Sequence, residues 1–303
     1  MKKEQMLKNL NVPDHPIDVI LDTDAYNEID DQFAISYMIQ SYEKLNVKAL
    51  YAAPFHNQKS TGPKDGMEKS YKEIHKILKL IKKDFPVFEG SCSYLPDETT
   101  FVDSEAARDL VSRSKAYSPE NPLYIVAIGA ITNIASALLI DPQIAENIVI
   151  VWLGGHSLEF HDTKEFNMWQ DVAAARVVMK SNAPFIQLPC MGVVSGFTIS
   201  EPELTKWLCK KNDLSDYLAQ NTIDEVKTYC DSEIWTRVIW DVTAVAWLLN
   251  DNNRFMSSRL INTHLPEYDG KYCDKPIEKL MRYVYYIDRD TLMRDLIKKI
   301  TSF

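Results

Sequence analysis

The stretch Val19-Ile20-Leu21-Asp22-Thr23-Asp24-Ala25-Tyr26-Asn27-Glu28-Ile29-Asp30-Asp31 sets an apolar run against four aspartates that fall within ten residues. IDVIL (17–21) has the length and character of a buried strand, and QFAISYMIQSYEKL (32–45) reads as a helix. Asp30 and Asp31 therefore stand at a helix start, where carboxylates satisfy free N–H groups and complement the dipole. That role does not account for Asp22 and Asp24, which flank Thr23 and point the same way in an extended chain. Carboxylates crowded at one strand–helix junction repel one another unless a cation lies among them. With oxygen donors and no adjacent Cys or His, the ion is a hard one, Ca²⁺ or Mg²⁺, rather than zinc. Neighbouring residues at a helix start diverge by about 100°, so one aspartate can bind metal while the other faces a substrate or a water. An ion that acidifies water beside a carboxylate that takes its proton describes metal-assisted hydrolysis.

Outward from this loop, apolar runs of strand length alternate with segments of helical period. VKALYA (47–52), PVFEG (86–90), LYIVAIG (123–129), IVIVWLGG (148–155) and PFIQLP (184–189) read as strands, and RYVYYID (282–288) as a late one. Helices are predicted over 67–83, 103–116, 133–140, 171–181, 241–249 and 291–300, with others between 190 and 240. In 67–83 the residues Ile74, Ile77, Leu78 and Ile81 line one face. Strands that are apolar throughout, separated by helices, imply an α/β fold: one domain over 1–303 with a largely parallel central sheet flanked by helices. Ligands bind outside the carboxyl ends of such strands. The polar loops 22–31, 129–133 and 154–167 all follow strands and share that rim.

Composition excludes several classes. At a net charge of −9 with no Lys/Arg stripe, the chain lacks the positive surface that nucleic acid demands. No apolar run approaches the roughly 18 residues of a membrane span. The N-terminus is charged and has no apolar leader core. Five scattered cysteines without a CxxC fit reduced thiols in a cytoplasmic protein. No phosphate-binding glycine motif occurs. His156 and His161 show no zinc-site pattern, and can line a pocket or donate a proton. Cys190 has no assigned His partner for a nucleophilic role. His75 reads as surface, and Trp247 as core.

VAIGAITNIASALLIDPQIAENI (126–148), VWLGG (151–155), EFNMWQDVAAARVV (165–178) and WDVTAVAWLL (240–249) follow the aspartate loop in that order. Together they resemble the inosine–uridine-type nucleoside hydrolases, in which a DTDPGIDD-like loop, a GPLTN-like turn, a GG…EFN segment and a late Asp build one site. The resemblance runs from about residue 17 to near the C-terminus. It implies a nucleoside hydrolase-like open sheet and a Ca²⁺-dependent N-glycosidase that cleaves a small-molecule ribonucleoside to ribose and free base, working as a homodimer or homotetramer. By position, Asp24, Asp31 and Asp241 match metal ligands, and Thr132 matches a threonine that offers its backbone carbonyl to the ion. Asp30 matches the general base toward the metal-bound water. Glu165 and Asn167 match residues that grip ribose hydroxyls. Asn57 matches a further ribose-contacting Asn, and Asn27 falls on the pocket wall. Asp22, grouped with this substrate-facing set, braces the loop. Departure of the base leaves an oxocarbenium-like sugar, which nearby carboxylates favour.

Two departures stand out. Five residues, Ala25 to Ile29, separate Asp24 from Asp30 where the family loop commonly has three. The added Tyr26-Asn27-Glu28 alters the pocket wall, with Glu28 reading as an exposed loop carboxylate and approach to the site as its alternative. Trp240-Asp241 replaces the His-Asp of many members, which resembles the purine-preferring subgroup, where an indole stacks on the base. HSLEFHDTKEFN (156–167) also lacks the usual GN…P pattern, which places one ribose contact in question. Three rivals stand beside a purine nucleoside hydrolase: a hydrolase of another N-riboside (a pyrimidine nucleoside or nicotinamide riboside), a non-catalytic Ca²⁺/nucleoside-binding homologue, and an aspartyl-phosphate phosphatase suggested by VILDTDAY.

Overall fold

The computed structural model describes residues 1–302, with Phe303 outside the described residues. The chain runs through α1 (Lys3–Asn9), β1 (Ile17–Thr23), α2 (Asp30–Ile39), β2 (Leu45–Ala52), α3 (Pro63–Ile81), β3 (Val87–Glu89) and α4 (Glu105–Ser114). It continues with β4 (Leu123–Ala127), α5 (Thr132–Ile140), β5 (Ile148–Leu153), α6 (Phe166–Gln170), α7 (Val172–Lys180) and β6 (Phe185–Leu188). The remainder is β7 (Thr198–Ser200), α8 (Glu201–Trp207), α9 (Asp213–Val226), β8 (Thr236–Val238), α10 (Val242–Leu248), β9 (Met256–Thr263), β10 (Ile277–Ile287) and α11 (Arg289–Thr301).

Eight strands form one sheet in the order β3-β2-β1-β4-β5-β6-β10-β9, and β7 pairs with β8 apart from it. Every neighbouring pair from β3 to β10 is parallel, and only β9 runs antiparallel, on β10. The sheet is therefore largely parallel, as the continuous apolar runs predict. β4, β5 and β6 are buried at every residue, because helices cover both faces. One face packs Val19, Leu21, Val126 and Val151 against Phe33, Trp247 and Leu296. The other packs Ile20, Ile125, Ile150 and Trp152 against Leu110, Ala135 and Val178. Burying each such large apolar side chain contributes about 1.5–3 kcal/mol.

Among the differences between expected and observed element boundaries, two have a clear physical cause. The helix read over 32–45 ends at Ile39, since Leu45 is taken into β2 by parallel pairing with Ile17. The late strand is longer than 282–288 and is partnered by β9, whose sequence MSSRLINT lacks clean alternation. Long-range pairing overrides local preference in both.

Strand order reverses between β1 and β4: β2 and β3 extend the sheet on one side of β1, and β4 onward on the other. The loops leaving these two strands diverge and open a crevice at their carboxyl ends. Asn133, fully buried at the start of α5, ties this rim together. Its Nδ2 donates to Asp22 Oδ1 at 2.7 Å and to the Ala52 carbonyl at 3.3 Å, while its Oδ1 accepts from Ser91 N at 2.7 Å. Asn133→Ala leaves those buried groups without partners and should lower unfolding free energy by about 2–4 kcal/mol. Urea denaturation reads this directly, and a loss below about 0.5 kcal/mol would rule out the bracing role.

Candidate active site

Asp22 ends its strand pointing into the protein. Its Oδ1 is held by Asn133 and burial pushes its carboxyl up to about 7, but it does not line the cavity at the crevice. The structure thus removes it from the substrate-facing set and leaves it as a brace. It also removes the phosphatase reading, whose nucleophile would be this residue. Asp24, at the loop's start, does line the cavity, and its Oδ2 has no hydrogen-bond partner. Asp30 and Asp31 open α2 from the far end of the loop, and Asp241 immediately precedes α10.

These elements deliver Asp24, Asp30, Asp31 and Asp241 to one cavity of 190 Å³, each side chain at most 5% exposed. Asp30, Asp31 and Asp241 each offer one oxygen within 4.8 Å of the others. That span is about twice a Ca²⁺–oxygen bond. Asp24 lines the same wall outside this trio, so Asp30 stands closer to the ligand group than its expected separation from Asp31 implied. Few bonds relieve the crowding. Thr23 Oγ1 donates to Asp31, the Asp241 N–H donates to Asp30 Oδ2 at 3.3 Å, and Asp30 Oδ1 has no partner. Burial and then the neighbouring carboxylates push Asp24, Asp31 and Asp241 well above the usual range. Asp30 rises to about 7, mainly through burial and the Glu28 carboxylate, with Arg237 opposing. Buried, unpartnered oxygens with raised proton affinity fit a divalent hard cation, which would supply the missing charge.

The far wall comes from loops after β5 and β6. Gly155 turns there with φ +76°, and a Cβ would meet Tyr272 Oη at 2.4 Å, so the turn requires glycine. Glu165 caps α6, accepting from Gly155 N at 2.8 Å, Asn167 N at 2.8 Å and Met168 N at 2.9 Å; burial still raises its carboxyl to about 7. Asn167 Nδ2 donates to the Leu153 and Ile128 carbonyls at 3.0 and 3.2 Å, which leaves its Oδ1 for other contacts. Both residues line the cavity, as does half-buried Trp240 beside Asp241. His156 lines it too: the Met191 N–H donates to Nδ1 at 3.3 Å, so the proton sits on Nε2, and burial lowers the ring's pKa. His161 and His75 are exposed, and Trp247 is core.

Other expected positions fall elsewhere. Asn57 lies outside the cavity and reaches it through Asn27, whose Oδ1 accepts from Asn57 Nδ2 at 2.6 Å. Thr132 lies behind the wall, its hydroxyl donating to Asp171 Oδ2 at 2.7 Å. Glu28 is no exposed loop residue: it is half-buried, lines the cavity and is ion-paired with Arg237. Asp171 escapes sequence reasoning, although it caps α7 and also accepts from Leu95 N at 2.9 Å. Its place directly after the EFN segment, at a helix start, was the available signal. Cys190 lines the cavity with its thiol pKa raised by burial, which makes it a poor nucleophile. All five cysteines are free. A larger groove of 850 Å³ between α8 and α11 has no converging carboxylates, its Glu203 being paired with Arg289. Among the described residues, no helix is long and apolar enough to cross a membrane.

Comparison with known proteins agrees with this geometry. Residues 19–282 match the family described as inosine-uridine preferring nucleoside hydrolase. The pyrimidine-specific ribonucleoside hydrolase RihA of Salmonella typhimurium is 26% identical over 282 residues, 84% of this chain and 85% of that one. Its counterpart in Salmonella arizonae is 24% identical over the same span. Among solved structures, the purine-preferring ribonucleoside hydrolase from Gardnerella vaginalis superposes with a TM-score of 0.74 at 18% identity, covering 94% of this chain and 98% of that one. The plant nucleoside hydrolase PpNRh1 gives 0.74 at 19% identity over 95% of this chain and 100% of its own. At such identity these structures carry the fold, and the relatives' names divide between pyrimidine and purine. Matched over most of its length and folded alike, the chain is an enzyme that belongs to the inosine–uridine preferring nucleoside hydrolase family.

Proposed function

We propose that the chain hydrolyses the N-glycosidic bond of ribonucleosides in a Ca²⁺-dependent reaction, with Asp30 as general base and with a preference for purines. The observation that carries this reading is the convergence of Asp24, Asp30, Asp31 and Asp241, buried and short of partners, on one cavity at the β1/β4 crevice. Asp24, Asp31, Asp241 and the Thr132 carbonyl would hold the ion. When bound, Ca²⁺ supplies positive charge among the carboxylates and oxygen coordination that orients sugar hydroxyls and water.

The chain's own groups then divide the work. Asp30, buried with Oδ1 free of any partner, takes a proton from the attacking water. The bond to the base breaks with its electron pair, the base taking up a proton from solvent; the carboxylate wall favours the oxocarbenium-like sugar that results, and water adds to its anomeric carbon. Glu165 and Asn167, fixed by backbone bonds, set the ribose orientation. The indole of Trp240 stacks on the departing base, and a bicyclic purine covers more of that ring than a pyrimidine does. A homodimer or homotetramer and a cytoplasmic location are further proposals of the family resemblance, the free cysteines supporting the second.

Asp30→Asn should lower kcat by about 10²–10⁴-fold while Ca²⁺ affinity stays within a few-fold, and Asp241→Asn should chiefly weaken Ca²⁺. Sugar-release assays paired with calorimetric Ca²⁺ titration check both; full activity in the Asp30 variant would refute the base assignment.

Acidity gives a second test. Asp22 and Glu165 titrate near 7 when folded, against 3.8 and 4.5 unperturbed, so the folded chain binds more protons than the unfolded one between roughly pH 4 and 7. The contribution of these two groups to the stability of the chelated protein should therefore fall as pH rises through that window. Ca²⁺ at a hundredfold excess over its Kd should restore about 2.7 kcal/mol at pH 8 and less at pH 5, where protons compete. Thermal melts with no pH slope and no Ca²⁺ response would contradict the charge model.

A further inference from the structure

We infer that Glu28 is a specificity-determining residue of this cavity, accepting a hydrogen bond from an N–H of the base. The inference rests on the ribonucleoside reading above and names the class of base within it: one that carries an amino or ring N–H donor.

The longer arc between Asp24 and Asp30 is built, not slack. Its Asn27 N–H donates to the Asp24 carbonyl at 2.7 Å, and Gln32 Nε2 donates to the Ala25 and Glu28 carbonyls at 2.8 and 3.3 Å. Asn57 holds Asn27 from the side. The backbone under Glu28 is thus fixed on both flanks.

The side chain is fixed as well. Arg237 reaches from β8 to Glu28 Oε2, and its side chain is only 15% exposed against 39% for that of Glu28. Arg237 is itself placed 4.0 Å from Glu225, which pairs with Lys59 at 3.4 Å. A largely buried arginine side chain therefore anchors one carboxylate oxygen. Among the described residues nothing donates to the other, Oε1.

This carboxylate lines the same cavity as Trp240 and the aspartates, and it also walls off a second cleft lined by Tyr26 and Tyr217. Among the described residues, Lys164 is the one lysine or arginine lining the substrate cavity, and it belongs to the loop before Glu165 rather than to the Glu28 wall. Glu28 therefore offers the base an acceptor oxygen that no described residue of the chain occupies. An N–H satisfies it, whereas a C–H in the same place displaces its water without replacing that hydrogen bond, and sites built around such a bond discriminate between the two.

The test uses two pairs that differ only by the amino group: adenosine against purine riboside, and cytidine against the 2-oxopyrimidine riboside. Intrinsic reactivity of each substrate cancels when variant is compared with wild type. Glu28→Ala should lower kcat/KM by about ten- to a hundredfold on the amino member of a pair and by less than about threefold on its partner. Glu28→Gln, which keeps a carbonyl acceptor, should fall between. Arg237→Met, which frees the carboxylate from its anchor, should erode the same ratio. Equal losses on both members in all three variants would mean a merely structural residue, and no loss on either would mean none; both overturn the inference. Should wild type release no sugar from any ribonucleoside, the hydrolase reading fails, and the pairs are then compared as equilibrium ligands. An amino preference that disappears in Glu28→Ala upholds the inference, and equal affinities overturn it.

Discussion

Bringing Asp24, Asp30, Asp31 and Asp241 into one buried cavity costs the folded chain several kcal/mol per unpaired charge before relaxation, and most of the architecture serves to impose that arrangement. β1 fixes the first end of the aspartate loop at the centre of a parallel sheet, and α2 fixes the other. α10 brings Asp241 from more than two hundred residues downstream, so its amide lies against Asp30. The apolar packing on both sheet faces offsets this cost; among the described residues Thr23, a few backbone donors and the nearby Arg237 charge add only modest relief at the cluster. Burial and mutual repulsion raise the proton affinity of these carboxylates. A bound divalent cation would compete with those protons and offset the repulsion.

Around this cluster lies a ring of polar residues bonded to the scaffold, of which Glu165 and Asn167 also face the cavity. Asn133 ties Asp22 to the ends of β2 and the loop after β3, and Asp171 joins Thr132 to Leu95. Glu165 and Asn167 stitch the loops after β4, β5 and the start of α6. Substrate groups would therefore meet side chains already immobilised, which is how orientation contributes to rate. The Glu28–Arg237 pair extends the same construction to the one wall that the longer loop creates.

Much of this was legible in the sequence because strand ends, helix starts and motif order are local facts. Apolar runs gave the parallel strands, and their following loops gave the rim. The DVILDTD and EIDD segments marked both ends of the carboxylate loop, and the order of GAITN, EFN and WD marked its partners. What stayed hidden depends on long-range geometry. Asp22 and Asp24 look equivalent two residues apart, yet one is turned toward Asn133 and the other toward the cavity. Glu28 reads as a solvent residue until β8 supplies Arg237, 209 positions away. β9 has no clean alternation because its outer side faces solvent and only β10 fixes its register.

The most direct test of the central claim, that these carboxylates exist to hold a cation for ribonucleoside hydrolysis, is release of reducing sugar from a panel of purine and pyrimidine ribonucleosides, with Ca²⁺ and after chelation. The account predicts turnover that chelation abolishes and added Ca²⁺ restores, fastest on purines. Turnover that survives complete chelation, or none on any ribonucleoside with Ca²⁺ bound, would contradict it.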